Sequence, residues 1–180
     1  MRKKIAFIFI IASLLILAKP SYHFLKRAYL HHYAQQQWQA WKAVKRPSQT
    51  GEPIAWLKSD EVALNELVLR GTDPKILLQT PGLSETWSLP DNPGLKVILG
   101  HRDLHFKNLN ALKIGSRLEL ESVNQSQTYQ VVDIEILTPE KTEQKLKEYQ
   151  KESRLALVTC YPFQYIGAAP QRYLIWAAPL

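Results

Sequence analysis

The sequence predicts an all-β body, a closed or nearly closed β-barrel with one helical insertion, carried behind an apolar N-terminal segment. Three observations predict it. From residue 53 onward, short runs rich in Val, Ile, Leu and Tyr recur, broken by turn residues. Eleven prolines against seven glycines suit short strands and turns. A single charged, helix-prone stretch, 139–153, interrupts those runs. The 180 residues suit one ordinary domain with a segment left over, and an apolar content of 46% can fill its core.

The leftover segment comes first. "MRKKIAFIFIIASLLILAK" has a basic start, and residues 5–18 are apolar except for Ser13. This is an export signal. The run covers about 21 Å of a roughly 30 Å hydrocarbon core. Lys19 can snorkel, and Tyr22, Phe24, Tyr29 and Tyr33 offer an interfacial belt. No small-x-small cleavage site follows, so the segment reads as an uncleaved membrane-anchor helix rather than a cleaved signal peptide. A short basic N-terminus stays inside, which leaves the body facing the periplasm or cell exterior. Residues 1–20 are therefore the anchor.

Residues 21 to about 46 lack Gly and are rich in Ala, Gln, Leu and aromatics, which predicts a juxtamembrane helix. "RPSQTGEP" (46–53) reads as a linker. The predicted segments are thus 1–20, then 21–52, then a body from 53 to 180. Within the body, "PIAWL", "ELVLRG", "LKVILGH", "SRLELES", "TYQVVDIEIL", "LALVTC" and "RYLIWA" are strand-like runs. In the fifth, Val132, Ile134 and Ile136 share one face while Asp133 and Glu135 share the other. "NQSQ" reads as a hairpin turn and "LPDNPG" as a loop.

The formal net charge is +7, yet no Lys/Arg run exceeds the three at the N-terminus and no base-reading motif accompanies it. Charge alone carries no base readout, so nucleic-acid binding is not expected.

Chemistry centres on Cys160, the only cysteine. It cannot form an internal disulfide, and it stands at the end of an apolar run. A single thiol is either an inert small hydrophobe or a deliberately reactive group. A nucleophilic cysteine needs a base and a donor for the developing oxyanion. His101 follows an apolar run and a glycine in "VILGHRDLHF". Arg172 opens the run after Cys160 in "PQRYLIWA". If those last two runs pair antiparallel, Cys160 and Arg172 become neighbours at one rim. His101 and His105 are four apart, which on a helix would suit a metal pair, but no third ligand cluster supports one. Each residue also has a plain structural reading: a buried thiol, a turn histidine, a solvated arginine. The residues alone leave both readings open.

The motifs carry a resemblance. "LVTCYPF" resembles the T-L-x-T-C signature of sortases, the cysteine transpeptidases of bacterial surfaces. "GHRDLHF" resembles their catalytic-histidine segment and "PQRYLI" their catalytic-arginine strand. The likeness runs over about residues 53 to 178, through "ELVLRGTD", "NLNALKIGSRLELES" and "YQVVDIEILTPE". The anchor and compact body look most like class GN sortases, the group of Gram-negative bacteria.

The resemblance implies an eight-stranded sortase-type β-barrel with short helices. It implies Cys160 as nucleophile, His101 as general acid/base and Arg172 as oxyanion or substrate-positioning residue. The signature's first Thr is Ala156 here, which implies altered packing, while Thr159 is kept; Asp103 is expected to shape or orient the loop. The implied reaction is cleavage of an LPxTG-like sorting signal between Thr and Gly through a thioacyl intermediate, with transfer to an amine. The expected partners are a surface protein bearing that signal at its C-terminus, an amine acceptor and the inner membrane; no cofactor or metal is expected.

Two other readings compete. One is a different cell-envelope cysteine peptidase or transpeptidase. The Ser-His-Gly-Cys signature of L,D-transpeptidases is absent, and papain-like wall peptidases place Cys before His, the reverse of the order here. The other is a non-catalytic, membrane-tethered barrel that acts as a binding module.

Overall fold

The computed structural model describes residues 33–44 and 46–180. The anchor and the first part of the expected juxtamembrane helix lie outside the described residues. Residues 33–44 are helical (α1). No helix among the described residues is long and apolar enough to cross a membrane. The chain divides into two compact units, Met1–Gln39 and Ala40–Leu180. All eight strands belong to the second.

Eight strands form a closed barrel. They are β1 (Pro53–Ser59), β2 (Leu64–Arg70), β3 (Gly82–Leu83), β4 (Lys96–Leu99), β5 (Arg117–Ser122), β6 (Ser126–Leu137), β7 (Leu155–Tyr161) and β8 (Gln171–Pro179). Their order around the barrel is β1-β2-β3-β4-β7-β8-β6-β5. Pairing of β1 with β5 closes the ring, which leaves no open sheet edge. Two pairs are parallel, β2 with β3 and β4 with β7; all others are antiparallel. A parallel pair needs a long crossover. Between β2 and β3 it contains the one-turn helix α2 (Pro74–Leu77). Between β4 and β7 it contains β5, β6 and α3 (Pro139–Glu148).

The seven strand-like runs all become strands. The eighth strand, β3, has two residues and no apolar run to announce it. Its Gly82 is required by close approach: a Cβ there would stand 2.2 Å from the Gly71 carbonyl oxygen. The expected hairpin turn at 124–127 falls two residues earlier. Ser122 N–H donates to Gln125 O (2.7 Å), and Ser122 Oγ accepts from the Asn124 and Gln125 amides, so the chain reverses on Val123 and Asn124.

The linker expected at 46–53 is packed rather than loose. Arg46 forks onto the Glu52 carboxylate, Ser48 is buried, and Arg70 donates to Ser48 O.

Side chains alternate between two cores. Leu57, Val68, Leu157, Tyr173 and Ile175 point into the barrel. On the opposite face of the same strands, Val97, Ala156, Val158, Leu174 and Trp176 form a second cluster closed by Leu146 of α3. Strand β7 is thus covered on both faces, which is why it reads as a continuous apolar run rather than an alternating one. Strand β6 does alternate, but a bulge at Val132 shifts the parity. Tyr129 and Val131 are buried before it, Ile134 packs inward after it, and Val132 itself is exposed.

Helix α3 starts where the sequence supplies a start. Thr138 caps it, accepting from Lys141 N–H, and Pro139 follows at the first helical position. It ends at Glu148, short of the expected 153. There the chain must return to the sheet: Leu95 N–H donates to Gln150 O and Lys96 N–H to Arg154 O, which aligns β7 beside β4.

Candidate active site

The β4, β7 and β8 strands lie side by side, and the three candidate residues sit at one end of them. Cys160 and Arg172 are direct cross-strand partners in the antiparallel β7–β8 pair. On the other flank, β4 runs parallel to β7 with Leu99 beside Val158. That register continues one step further, since Gly100 N–H donates to Val158 O (3.2 Å) and the Thr159 hydroxyl donates to Gly100 O (2.7 Å). His101 follows directly, where the chain has left the strand. Neighbouring strands stand about 4.8 Å apart, so cysteine and arginine occupy adjacent tracks, and histidine leaves the end of the strand on the other flank of β7.

The alternation of the strands also sets their face. Cys160 follows Ala156 and Val158, and Arg172 precedes Leu174 and Trp176, on the side of the second cluster. Val97 and Leu99 of β4 face that same side. The cluster, closed over by Leu146 of α3, packs along the strands whose ends carry Cys160 and Arg172. His101, Cys160 and Arg172 are all part-buried, neither sealed in a core nor fully solvated.

Each group is held from beneath. The His101 segment turns back on itself, with Leu104 and Phe106 amides donating to His101 O (3.3 and 3.0 Å). The Phe106 ring, fully buried, fills the space beside Gly100; a Cβ at that glycine would meet the ring at 2.7 Å. Arg172 Nη1 donates to Ala169 O (3.2 Å) and Gln171 O (2.9 Å). Among the described residues its Nε and Nη2 take no partner, so part of the guanidinium fork is open. Glu140, in the first turn of α3, is held below the usual carboxylate range by its own backbone amide, by the Thr138 hydroxyl and by the positive charge of Arg172.

Asp103 differs from expectation. It is exposed, and its carboxylate makes no hydrogen bond to a described residue. Loop-shaping contacts come instead from Phe106, from His105, whose Nδ1 lies 3.4 Å from Glu66 Oε2, and from Arg102. The His101/His105 pair lies on a turn segment, not on a helix, so the helical metal spacing does not arise. Arg102 escaped the sequence reading. Its hydrogen-bond partners are backbone carbonyls 63 and 65 residues away, which leave no side-chain signal.

Comparison with known proteins agrees with this architecture. Residues 57–180 match the sortase domain family. The chain is 33% identical over 135 residues to sortase D of Bacillus subtilis (strain 168), covering 75% of this chain and 67% of that protein. Among solved structures, sortase C-1 of Actinomyces oris superposes with a TM-score of 0.62 at 27% identity, covering 72% of this chain and 76% of the other. The Clostridium perfringens sortase D5 transpeptidase superposes with a TM-score of 0.64 at 18% identity, covering 81% and 88%. The eight-stranded barrel is the sortase fold, and the chain belongs to the sortase family.

Proposed function

We propose that this protein is a membrane-anchored cysteine transpeptidase with Cys160 as nucleophile, His101 as general acid/base and Arg172 as oxyanion donor. The observation that carries the reading is the register: Cys160 pairs directly with Arg172, and β4, which ends two positions before His101, runs parallel beside β7 on its other flank. The Cys160 sulfur attacks the carbonyl carbon between Thr and Gly of an LPxTG-like sorting signal. The open Nε and Nη2 of Arg172 donate to the oxyanion that forms. The C–N bond then breaks, His101 hands its proton to the leaving amine, and a thioester remains on Cys160. An incoming amine attacks that thioester, its proton passes to His101, and the C–S bond breaks to release the Cys160 thiolate beside the protonated histidine, the pair from which the cycle begins.

Leu99, partly exposed at the end of β4, supports an extended substrate with an apolar side chain. The N-terminal apolar run supports anchoring in the inner membrane, with the barrel on the periplasmic side and the C-terminally anchored surface protein meeting it there. That run and the compact body also support the class GN assignment, although the relatives named above come from Bacillus, Clostridium and Actinomyces.

The test uses the full chain in detergent micelles with a panel of LPxTG-like peptides, read by intact mass. An acyl adduct that ends at Thr, present on wild type and absent from Cys160→Ala, is expected. A folded wild-type chain whose thiol alkylates readily but accepts no peptide would overturn the substrate class. A thiol inert to both would leave a binding module.

A further inference from the structure

We infer that Arg102 is a positioning residue for the acyl-transfer site, holding the β7–β8 connection against the segment that carries His101. The inference rests on the roles proposed above for Cys160, His101 and Arg172.

The connection, residues 162–170, makes no backbone–backbone hydrogen bond to any described residue outside the strands it joins. Its middle is exposed, and Ile166 is fully so. Side chains hold it instead. At its base, Phe163 packs edge-on against Tyr161 and Tyr173 (centroids 6.1 and 5.2 Å). On the β8 flank, Arg172 reaches back to Ala169 O. On the far flank stands Arg102. Its Nη2 donates to Tyr165 O (2.7 Å) and more weakly to Gly167 O (3.4 Å), and its guanidinium lies 5.8 Å from the Tyr165 ring centre. Gly167 at φ +99° bends the chain so that the two carbonyls converge on one nitrogen. Its other terminal nitrogen, Nη1, is shielded from solvent and has no hydrogen-bond partner among the described residues. An orphaned, desolvated guanidinium N–H costs stability, so the placement of Arg102 calls for an explanation other than stability.

The segment from which Arg102 projects is rigidly seated. Phe106 is buried against Gly100, its amide bonds to His101 O, Thr159 holds Gly100 O, and His105 meets Glu66. His101 is thus fixed without Arg102, whereas the connection depends on it. Residues adjacent in sequence therefore do two jobs: one carries the proton, and the next sets the wall of the site. Removing the Arg102 side chain frees the wall and leaves the three reacting groups in place. That predicts weakened substrate binding rather than slowed chemistry.

The experiment compares wild type, Arg102→Ala and Arg102→Lys as full chains in detergent. Backbone amide relaxation by NMR gives order parameters for residues 162–170, and kcat and KM are measured with an LPxTG-type peptide. Arg102→Ala is expected to lower the order parameters of 164–168 below about 0.6 while β4 and β7 stay near about 0.85, because the charge-assisted bonds to Tyr165 O and Gly167 O are lost only there. KM is expected to rise about tenfold with kcat little changed, the pattern of lost uniform binding. Arg102→Lys keeps one nitrogen able to reach both carbonyls and is expected to recover part of both effects. A purely structural role would instead lower Tm and loosen the barrel strands. Unchanged order parameters in 162–170, or lowered ones with KM unmoved, overturn the inference. If wild type processes no peptide, the acyl-transfer reading fails, and the order parameters alone then decide whether Arg102 holds the connection.

Discussion

Cys160 and Arg172 face each other across the β7–β8 ladder as direct partners, at the end of the pair where the chain leaves the sheet. Backbone hydrogen bonds thus set the Cα positions of the two residues side by side, and the guanidinium is further held by Ala169 O and Gln171 O, so the placement of residue 172 does not depend on its side chain. Arg172→Lys should therefore fold normally, and its register with Cys160 should persist. An ammonium cannot present two donors in a planar fork, so kcat/KM for peptide cleavage should fall by about a hundredfold or more. Steady-state kinetics with a matched thermal melt checks this; near-wild-type kcat/KM would remove Arg172 from the reaction.

Thr159 links the two strands that carry histidine and cysteine. Its hydroxyl, 2% exposed as a residue, donates to Gly100 O, one residue before His101. Thr159→Val keeps the shape and deletes the donor. The expected cost is about 1–2 kcal/mol of stability, the penalty for an unsatisfied buried group. Activity should fall more than stability, because the lost bond aligns His101. Denaturant unfolding and kcat measured on one preparation separate the two effects.

Gly100 is small because Phe106 occupies the place of its Cβ. Gly100→Ala forces the fully buried ring to move, which should cost about 1–3 kcal/mol by overpacking. A drop in Tm of several degrees is expected, together with loss of kcat as His101 shifts. Adding Phe106→Leu should restore part of the Tm. A Gly100→Ala protein with unchanged Tm would show that the loop yields freely.

Glu121 gives a pH signature away from the site. Burial pushes its carboxyl up, but Lys42 and Lys58 on either side outweigh this and bring the pKa down to about 2. Because the folded pKa lies below the unfolded one, the ionised pair stabilises the fold above the ordinary carboxylate range. That stability is lost as pH falls from about 4.5 toward 2. Glu121→Gln should be less stable than wild type near neutral pH by about 1 kcal/mol or less, given its partial exposure. The gap should narrow as the pH drops below about 4.5 and close only toward about 2. Thermal melts across that range test it; a constant gap would mean that Glu121 acts by packing alone.

Much of the barrel was legible because each strand needs an apolar run, and both periodicities were present. β7 reads as continuous because both faces are covered, and β6 reads as alternating because one face meets solvent. Thr138-Pro139 marked the start of α3 through local capping chemistry. What escaped were features made by distant backbone. β3 exists because Gly82 fits against Gly71, not because two residues prefer extension. The parity change in β6 comes from a bulge set by its β8 partner, and α3 stops early because Gln150 and Arg154 must bond β4.

The same division holds at the site. The sequence by itself singled out the candidate residues: one thiol, one histidine after a strand and glycine, one arginine opening the next strand. It also set the condition, antiparallel pairing of the last two strands, under which cysteine and arginine meet, and the β7–β8 ladder meets it. Only the tertiary structure decided that β4 lies parallel beside β7 and so delivers His101, because that pairing joins strands separated by a long crossover. Only the tertiary structure, too, made Arg102 rather than Asp103 the partner of the loop. A side chain that bonds backbone carbonyls places no demand on the identity of the residues that supply them, and so leaves no trace in their sequence.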